Sequence, residues 1–417
     1  MNDFAQSQRF HMGKLTVASY CSTFLKPEML HIYRQVTSLR RSRTFVMTKK
    51  VEHPRRFHFD DIEKIPRPHR NLVRHGWMKF VECKPPLIYR GEYKMLVSIL
   101  GRRGADMMHI YFGHTGVHLL PFVREWNRPC LVSFHGADVA IKHEVANYLG
   151  KLRLLFDSVA LVLARSQSLA DRLIRFGCPP EKIRLNRTGI PLNEFSMMRR
   201  EFPSDGHWQI LQACRLIDKK GVGSAIRAFA IFAREFPKAE FVIAGKGPLQ
   251  PELQTLAEQL GIGAKVHFCG FLSQHDLRDL YGRAHIFIHP SETPPDENQE
   301  GVPNSILEAM ATGLPIIATR HGGIPEAVTE NLNGFLSDER DTKSLGRSMV
   351  ALAKSPELYA RFSSAARTAV AESFNQDLTI RELERIYEEV CDKGVTQELR
   401  QGEVGLATPL IESAVAK

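Results

Sequence analysis

The chain has 417 residues, of which 43% are apolar and 24% charged, an ordinary globular composition long enough for two α/β domains. No run of 18 or more apolar residues occurs, and the N-terminus lacks the apolar core of a secretion signal, so we expect a cytoplasmic protein without a spanning helix. The formal net charge of +10 directs attention to anionic partners.

Cysteine and histidine spacing argues against a metal site. The seven cysteines are far apart and form no CxxC pair, and no two histidines have the spacing of metal ligands. We therefore predict no metal and no cofactor, with the cysteines acting as small buried side chains in a reducing compartment.

The first half alternates apolar strand candidates with helical patterns, which is typical of a parallel sheet covered by helices. In "SQSLADRLIRFG", Ser166 or Ser168 suits the helix N-cap and Gly177 a helix stop. We predict a Rossmann-like domain over residues 1–195, with strands at 14–20, 44–51, 107–113, 129–136 and 158–164 and a weak one from 182.

The alternation restarts after a polar linker, predicted at 196–207. A second Rossmann-like domain is predicted over 208–375, followed by a helix at 376–395 that we expect to pack on the first domain and a flexible tail at 396–417. Strands are predicted at 208–216, 239–245, 265–270, 286–291 and 315–319, with helices after Gly221, near 250–260 and 275–284, and at about 303–312. From there to about 394 the pattern predicts mainly helices.

Basic residues are concentrated between positions 34 and 103. A solvated surface explains such a concentration, and so does an anionic membrane or a nucleic acid. No recognisable nucleic-acid-binding motif accompanies it. Between these two partners we prefer the membrane, which predicts a peripheral protein at the inner face of the cell membrane.

Two loops after predicted strands suit an anionic ligand. In "ACRLIDKKG", Arg215 and Lys220 stand at a helix entrance, where two cations suit a diphosphate, although exposed cations are common on any surface. In "AGKGPLQ", Gly245 and Gly247 allow a close approach of the backbone to a ligand, but a GxGP turn alone is a weak indication.

The third loop combines carboxylates with a tight helix start. Gly301 and Pro303 prepare the helix, with Pro303 suited to its first turn, and Glu300 and Glu308 flank them with seven residues between. Carboxylates accept hydrogen bonds from sugar hydroxyls. Compensation of the helix dipole explains Glu300 equally well, but not Glu308.

Together these segments resemble a known family. "QEGVPNSILEAMATGLPIIATRHGGIPEAV", the upstream "IFIHPSE", Arg215 with Lys220 and Gly221, "GKGP" and the "VHFCG" strand end follow in the order found in retaining nucleotide-sugar glycosyltransferases of family 4. The resemblance covers residues 209 to about 330. It implies the GT-B fold, in which two Rossmann-like domains face a central cleft.

The resemblance implies roles for individual residues. Arg215 and Lys220 would bind the donor diphosphate and stabilise the leaving nucleotide in place of a metal. Glu300 would contact donor-sugar hydroxyls and Glu308 the ribose. The remaining donor-binding residues would be Gly245, Gly247, Gly301, Val302 and Pro303.

The first half carries fewer such residues. "SFHGADV" resembles the family's HGxD segment, with His135 near the sugar and the acceptor and Asp138 supporting the loop. His109 matches a strand histidine of the family, and Glu326 a recurrent glutamate without an assigned role.

Two features depart from the family pattern. The turn after the first strand lacks the usual Gly-Gly pair, and Ser22 or Thr23 is instead suited to cap the next helix. The insertion "SETPPDENQEG" resembles longer versions in enzymes that build extracellular polysaccharide.

The leading hypothesis is a retaining, metal-independent transferase that moves a hexose from a nucleoside-diphosphate sugar to a saccharide or lipid-linked acceptor in polysaccharide or glycolipid biosynthesis. One alternative is a sugar-nucleotide epimerase or hydrolase of the same fold. The other is a basic scaffold with a degenerate transferase fold that binds membranes or nucleic acid. The choice between UDP and GDP is left open.

Overall fold

The computed structural model describes residues 14–65, 77–82, 84–136, 147–295 and 299–404. The described strands form two larger sheets and one short pair, and every pairing given for them is parallel. The strands are β1 (Thr16–Tyr20), β2 (Thr23–Phe24), β3 (Arg43–Thr48), β4 (Lys50–Val51), β5 (Ile62–Lys64), β6 (Met107–Tyr111), β7 (Cys130–Phe134), β8 (Leu161–Ala164), β9 (Ile183–Leu185), β10 (Gln209–Ala213), β11 (Glu240–Ala244), β12 (Val266–Gly270), β13 (Ile286–His289), β14 (Ile316–Thr319) and β15 (Gly334–Ser337).

Both larger sheets are doubly wound. The first has the strand order β5-β3-β1-β6-β7-β8-β9 and the second β12-β11-β10-β13-β14-β15. In each sheet the strand that comes first in the chain, β1 or β10, lies inside the sheet. The next strands are added on one side of it and the later strands on its other side, as in a Rossmann fold. The strand order of the second sheet reverses between β10 and β13.

Helices join successive strands, as parallel pairing requires. For example, the helices α7 (Val222–Glu235) and α11 (Thr342–Ala353) pack against each other, and their buried side chains form an apolar core with Trp208 and Phe241. The helices are α1 (Leu30–Thr37), α2 (Pro86–Tyr89), α3 (Glu92–Arg103), α4 (Gly113–Val123), α5 (Tyr148–Ser158), α6 (Gln167–Arg175), α7 (Val222–Glu235), α8 (Gln250–Gln259), α9 (Gln274–Arg283), α10 (Asn304–Ala311), α11 (Thr342–Ala353), α12 (Pro356–Ser373) and α13 (Gln376–Val404).

The predicted strands and helices of both halves are found close to their expected positions. Ser166 caps α6 through a 3.2 Å hydrogen bond from Leu169 N–H, and Gly177 follows the helix end with φ +98°. These local predictions are confirmed because each depends on a residue type that one backbone geometry requires.

Two local predictions are wrong, and one strand was missed. The strand predicted at 44–51 is interrupted at Lys49, and the missed strand, β15, lies in the segment predicted to be mainly helical. Neither Ser22 nor Thr23 caps a helix, since Thr23 pairs with Lys50 in the short β2–β4 ladder and α1 begins at Leu30 without a side-chain cap.

Contacts divide the chain into two compact units. The first comprises the described residues within Met1–Val132, Leu154–Leu161 and Arg381–Lys417, and the second those within Ser133–Arg153 and Val162–Ile380. Within the first unit, Glu384 of α13 accepts hydrogen bonds from the backbone amides of Arg40, Arg41 and Ser42 at 2.8, 2.6 and 2.9 Å. The predicted domain boundaries themselves stay predictions.

None of the helices within the described residues is long and apolar enough to cross a membrane.

Candidate active site

The loops that follow β10 and β13 meet in the second unit, at the point where the strand order reverses. Gly221 ends the turn after β10 with φ +57°, and a Cβ atom there would lie only 1.8 Å from Pro290 O after β13. Only glycine fits this position. In open α/β sheets, ligands bind beyond the carboxyl ends of the strands at such a reversal.

Two lysines and one glutamate lie at this place. Lys219 Nζ is 3.0 Å and Lys220 Nζ 2.9 Å from the same oxygen, Glu300 Oε1. The three side chains are only 7%, 11% and 12% exposed. The cluster therefore carries one excess positive charge in a nearly dry setting.

Burial and charge act against each other in this cluster. Burial lowers the pKa of Lys219, although the Glu300 carboxylate raises it in part. For Glu300, burial alone would raise the pKa, but Lys220 and Lys219 outweigh it and hold the pKa well below its usual range. Glu300 is thus a carboxylate at any physiological pH.

Arg215 is exposed and lies between β10 and the lysines. Its guanidinium adds a permanent positive charge to the same loop. The loop that follows β10 therefore supplies three cations, of which the sequence predicted Arg215 and Lys220 and missed Lys219.

Gly245 and Gly247 bring the loop after β11 against the loop after β10. A Cβ atom would lie 1.7 Å from Cys214 O at Gly245 and 2.2 Å from Leu216 O at Gly247. The backbone packing of the two loops already explains both glycines. Their predicted donor-binding role stays a prediction.

The start of α10 differs slightly from its prediction. Pro303 lies at the N-cap, one residue before the first turn, and is buried, whereas Gly301 and Val302 are half-buried. Glu308 on α10 is 5% exposed, and its Oε2 accepts a 3.2 Å hydrogen bond from the Tyr281 hydroxyl.

His135 follows β7 and is hydrogen-bonded on both ring nitrogens. Its Nδ1 lies 3.1 Å from an Arg165 guanidinium nitrogen, so Nδ1 is an acceptor and Nε2 donates to Ser133 Oγ at 3.0 Å. A Cβ atom on the next residue, Gly136, would lie 3.5 Å from Gly301 N, so this loop approaches the Glu300 segment. Asp138 lies outside the described residues.

Two family models match the chain in sequence. "Glycosyltransferase Family 4" matches residues 31–194 and "Glycosyl transferases group 1" matches residues 195–369. The amylovoran biosynthesis glycosyltransferase AmsK of Erwinia amylovora is 32% identical over 289 residues, 69% of this chain and 71% of that protein. This chain belongs to glycosyltransferase family 4.

Further relatives agree with this assignment. A putative colanic acid biosynthesis glycosyltransferase of Escherichia coli K12, WcaL, is 33% identical over 283 residues, 67% of this chain and 69% of that protein. The crystal structure of HepE from Anabaena in complex with UDP matches with a TM-score of 0.71 at 19% identity, covering 90% of this chain and all of that one. The glycosyltransferase therefore has the GT-B fold with two Rossmann-like domains, as predicted.

Glu326 anchors a helix of this glycosyltransferase. Its Oε1 accepts hydrogen bonds from the amides of Gln167 at 2.7 Å and Ser168 at 3.3 Å, at the start of α6, and its Oε2 accepts one from Arg187 at 3.2 Å. These contacts show what Glu326 binds in the structure, whereas the sequence left this residue without an assigned role.

His109 lies in β6 of the first unit and is fully buried. Its Nδ1 is 2.7 Å from the Tyr387 hydroxyl of α13, its ring stacks on Tyr111, and burial lowers its pKa to about 3. Its predicted place in the active site of the glycosyltransferase stays a prediction.

The sequence reasoning also missed a second layer around Glu300, formed by Thr293, His321 and Glu339. His321 stands directly before the "GGIPE" segment, which was the available indication, but Glu339 follows a strand that was not predicted. Among the described residues no group of three or more His, Cys, Asp and Glu side chains is placed to hold a metal ion.

Proposed function

We propose that this protein is a retaining hexosyltransferase that takes a hexose from a nucleoside-diphosphate sugar and transfers it to a saccharide or lipid-linked acceptor. The observation that carries the proposal is the cluster of Lys219, Lys220 and Glu300 at the strand-order reversal, with Arg215 on the same loop. Buried cations at such a crevice suit a diphosphate, and a carboxylate beside them suits sugar hydroxyls.

The relatives support the class of reaction. AmsK and WcaL carry the names of polysaccharide biosynthesis enzymes, and HepE has been solved with UDP and with UDP-glucose. We extend these properties to the present chain and propose a role in polysaccharide or glycolipid biosynthesis.

The chemistry needs a stabilised leaving group. As the bond between the anomeric carbon and the diphosphate oxygen breaks, negative charge grows on the diphosphate, and Arg215 and Lys220 offset it, as a metal ion does elsewhere. The Lys220 ammonium has three N–H donors, so its contact with Glu300 leaves donors for phosphate oxygens.

Retention follows if the acceptor hydroxyl attacks the face that the diphosphate leaves. The hydroxyl oxygen then bonds to the anomeric carbon while its proton passes to the departing phosphate oxygen. This route needs neither a pair of catalytic carboxylates nor a metal ion. We propose that the protein uses neither of them.

A thermal-shift panel with UDP, GDP, ADP and their sugars tests nucleotide binding. A ligand at about 100 times its Kd stabilises the folded state by about 2.7 kcal/mol, so the correct nucleotide should raise Tm clearly. Lys220→Ala should abolish this rise, whereas Lys265→Ala, in the 3-10 turn Gly263–Lys265 directly before β12, should keep it. A wild-type Tm that responds to no nucleotide would contradict the proposal.

Product analysis then decides the reaction. We expect the product's anomeric configuration, measured by NMR, to match that of the donor sugar. Free nucleotide and free sugar without acceptor would indicate a hydrolase, and an isomerised sugar an epimerase. Salt-sensitive binding to random DNA without nucleotide binding would indicate a scaffold.

We further propose that the first unit binds an anionic membrane surface on the cytoplasmic side. Trp77, Phe80 and Val81 are 58%, 73% and 58% exposed, and Lys79 lies 4.7 Å above the Phe80 ring. Aromatic side chains beside cations are typical of membrane interfaces. Some cations of the basic segment already pair with carboxylates, as Arg102 does with Glu63 at 2.8 Å. The turn Trp77–Val81 is therefore the better candidate for the membrane-binding surface.

Co-sedimentation with vesicles tests this surface. Phosphatidylserine vesicles should bind the protein, rising salt should weaken the binding, and Phe80→Ala should weaken it further. Leu332→Ala, which removes a 53% exposed apolar side chain of the second unit, should have no effect. Equal binding to phosphatidylcholine vesicles at all salt concentrations would contradict the electrostatic part.

A further inference from the structure

We propose that His321 and Glu339 are positioning residues that hold the insertion near both of its ends, at Thr293 and Glu300, and thereby fix the Glu300 carboxylate against the two lysines. We call His321 and Glu339 with these two loop ends the Glu339 clasp. The inference deepens the proposed function, because Glu300 is there assigned to the donor sugar.

The first half of the clasp acts on Glu300. The Glu300 backbone N–H donates a 3.1 Å hydrogen bond to His321 Nε2, and His321 Nδ1 lies 2.6 Å from Glu339 Oε1. An amide can only donate, so Nε2 accepts and the ring proton lies on Nδ1, directed at the carboxylate. His321 is 1% exposed, so its ring is fixed by packing as well.

The second half acts on Thr293. Glu339 Oε2 accepts the Thr293 backbone N–H at 2.7 Å and Oε1 accepts the Thr293 hydroxyl at 3.0 Å. Burial would raise the pKa of Glu339, but the hydrogen bonds from Thr293 and His321 outweigh it and lower the pKa. One carboxylate therefore joins the two ends of the insertion.

The backbone next to His321 completes the hold on Glu300. Gly322 has φ +53°, and a Cβ atom there would lie 2.1 Å from Glu300 O, while Gly323 N–H donates to that oxygen at 3.3 Å. Both backbone polar groups of Glu300 are thus bound by the segment after β14. The position of the carboxylate relative to the lysines after β10 follows from this segment.

Positional control of this kind matters for binding and catalysis. A displacement of about 1 Å at a group that contacts substrate can reduce a rate by about 10²-fold. Supporting hydrogen bonds are what keep such a group in its productive geometry. Loss of the clasp should therefore weaken binding of the sugar part of the donor more than binding of the nucleotide.

Three substitutions dissect the clasp. The side-chain amide of His321→Asn reaches only the Nδ1 position, so it can donate to Glu339 but leaves the Glu300 amide without its acceptor. The longer His321→Gln can accept from the Glu300 amide but gives up Glu339. Glu339→Gln tests the carboxylate, and His275→Gln, a 76% exposed histidine on α9, is the matched control.

Hydrogen exchange in the unliganded protein reads the clasp directly and does not depend on activity. We expect the exchange rate of the Glu300 backbone amide to rise at least tenfold in His321→Asn and to stay near the wild-type rate in His321→Gln. In Glu339→Gln we expect the Thr293 backbone amide to exchange faster. Unchanged exchange of the Glu300 amide in His321→Asn would overturn the proposal. Circular dichroism confirms that each variant is folded.

Binding of UDP, UDP-glucose, GDP and GDP-mannose tests the positioning role. One of the two pairs, UDP with UDP-glucose or GDP with GDP-mannose, should bind the wild type. For that pair we expect His321→Asn to lower the affinity for the sugar nucleotide about tenfold and for the free nucleoside diphosphate less than twofold, and His321→Gln to restore part of the loss. Equal loss for both ligands, or none despite faster exchange, would overturn the positioning role and leave the proposed function intact. If wild type binds neither these four ligands nor ADP and its sugars, the proposed function and the donor-positioning role both fail, while hydrogen exchange still decides whether the clasp exists.

Discussion

Lys219 and Lys220 are adjacent in the chain, yet their ammonium groups lie 3.0 and 2.9 Å from one oxygen of Glu300. They belong to a single 3-10 turn, Asp218–Lys220, in which successive side chains point about 120° apart. Only long, flexible stems let both reach the same carboxylate. The sequence predicted Lys220 through its family position, but nothing in the residue pattern showed that its neighbour turns inward.

At this scale we expect Lys220→Ala to lower turnover by at least about 10²-fold, the usual effect of removing one preorganised charge stabiliser. Lys219→Ala is the matched variant, since it removes the same charge from the same carboxylate. We expect it to lower turnover by less, because Lys220, which is the lysine assigned to the leaving diphosphate, remains. Steady-state kinetics with the nucleotide sugar identified by thermal shift provide the measurement, and near-normal turnover in Lys220→Ala would contradict the role.

Among the secondary-structure elements, the strands with a clear apolar run were predictable, and β15 was not. β10, β11, β13 and β14 each have at least three apolar residues bounded by turn residues, whereas β15 has only two apolar side chains, Phe335 and Leu336. The lateral order of strands cannot be read from the chain, because it depends on how helices pack. For this reason Glu339, which follows β15, could not be connected to Glu300 from sequence.

The helix α6 provides a prediction at the scale of elements. Glu326 accepts the amides of Gln167 and Ser168 at the positively polarised start of this helix, and it is 16% exposed. We expect Glu326→Gln to lower the free energy of unfolding by about 1–2 kcal/mol, since hydrogen bonds to a charged group are stronger than those to an amide.

Urea unfolding measures the loss at α6, and Asp338→Asn is the control. Asp338 is 84% exposed and pairs with Arg320 only across 3.4 Å, a surface contact worth little. If both variants lose the same small amount of stability, Glu326 does not anchor the helix as described.

At the scale of the whole molecule, acid should destabilise the fold through histidines that are buried uncharged. Burial lowers the pKa of His109 in the first unit and of His289 in the second to about 3, from 6.5. Below pH 6.5 these histidines are therefore protonated in the unfolded chain but stay neutral in the folded protein. The free energy of unfolding consequently keeps its full value above pH 6.5 and decreases as the pH falls towards 3. Between pH 7 and pH 5, each of these histidines should cost about 2 kcal/mol.

His109→Asn isolates one of these contributions. The asparagine amide can still pair with the Tyr387 hydroxyl, so the variant loses the titrating group with limited change to the contact with α13. Its altered packing lowers the free energy of unfolding equally at pH 7 and pH 5. The loss of stability that comes from protonation of His109 in the unfolded chain, by contrast, is absent from this variant. We therefore expect its urea stability to fall about 2 kcal/mol less than that of the wild type between pH 7 and pH 5. The exposed His275→Asn should behave as wild type, and an unaltered pH dependence in His109→Asn would mean that His109 titrates normally in the folded state.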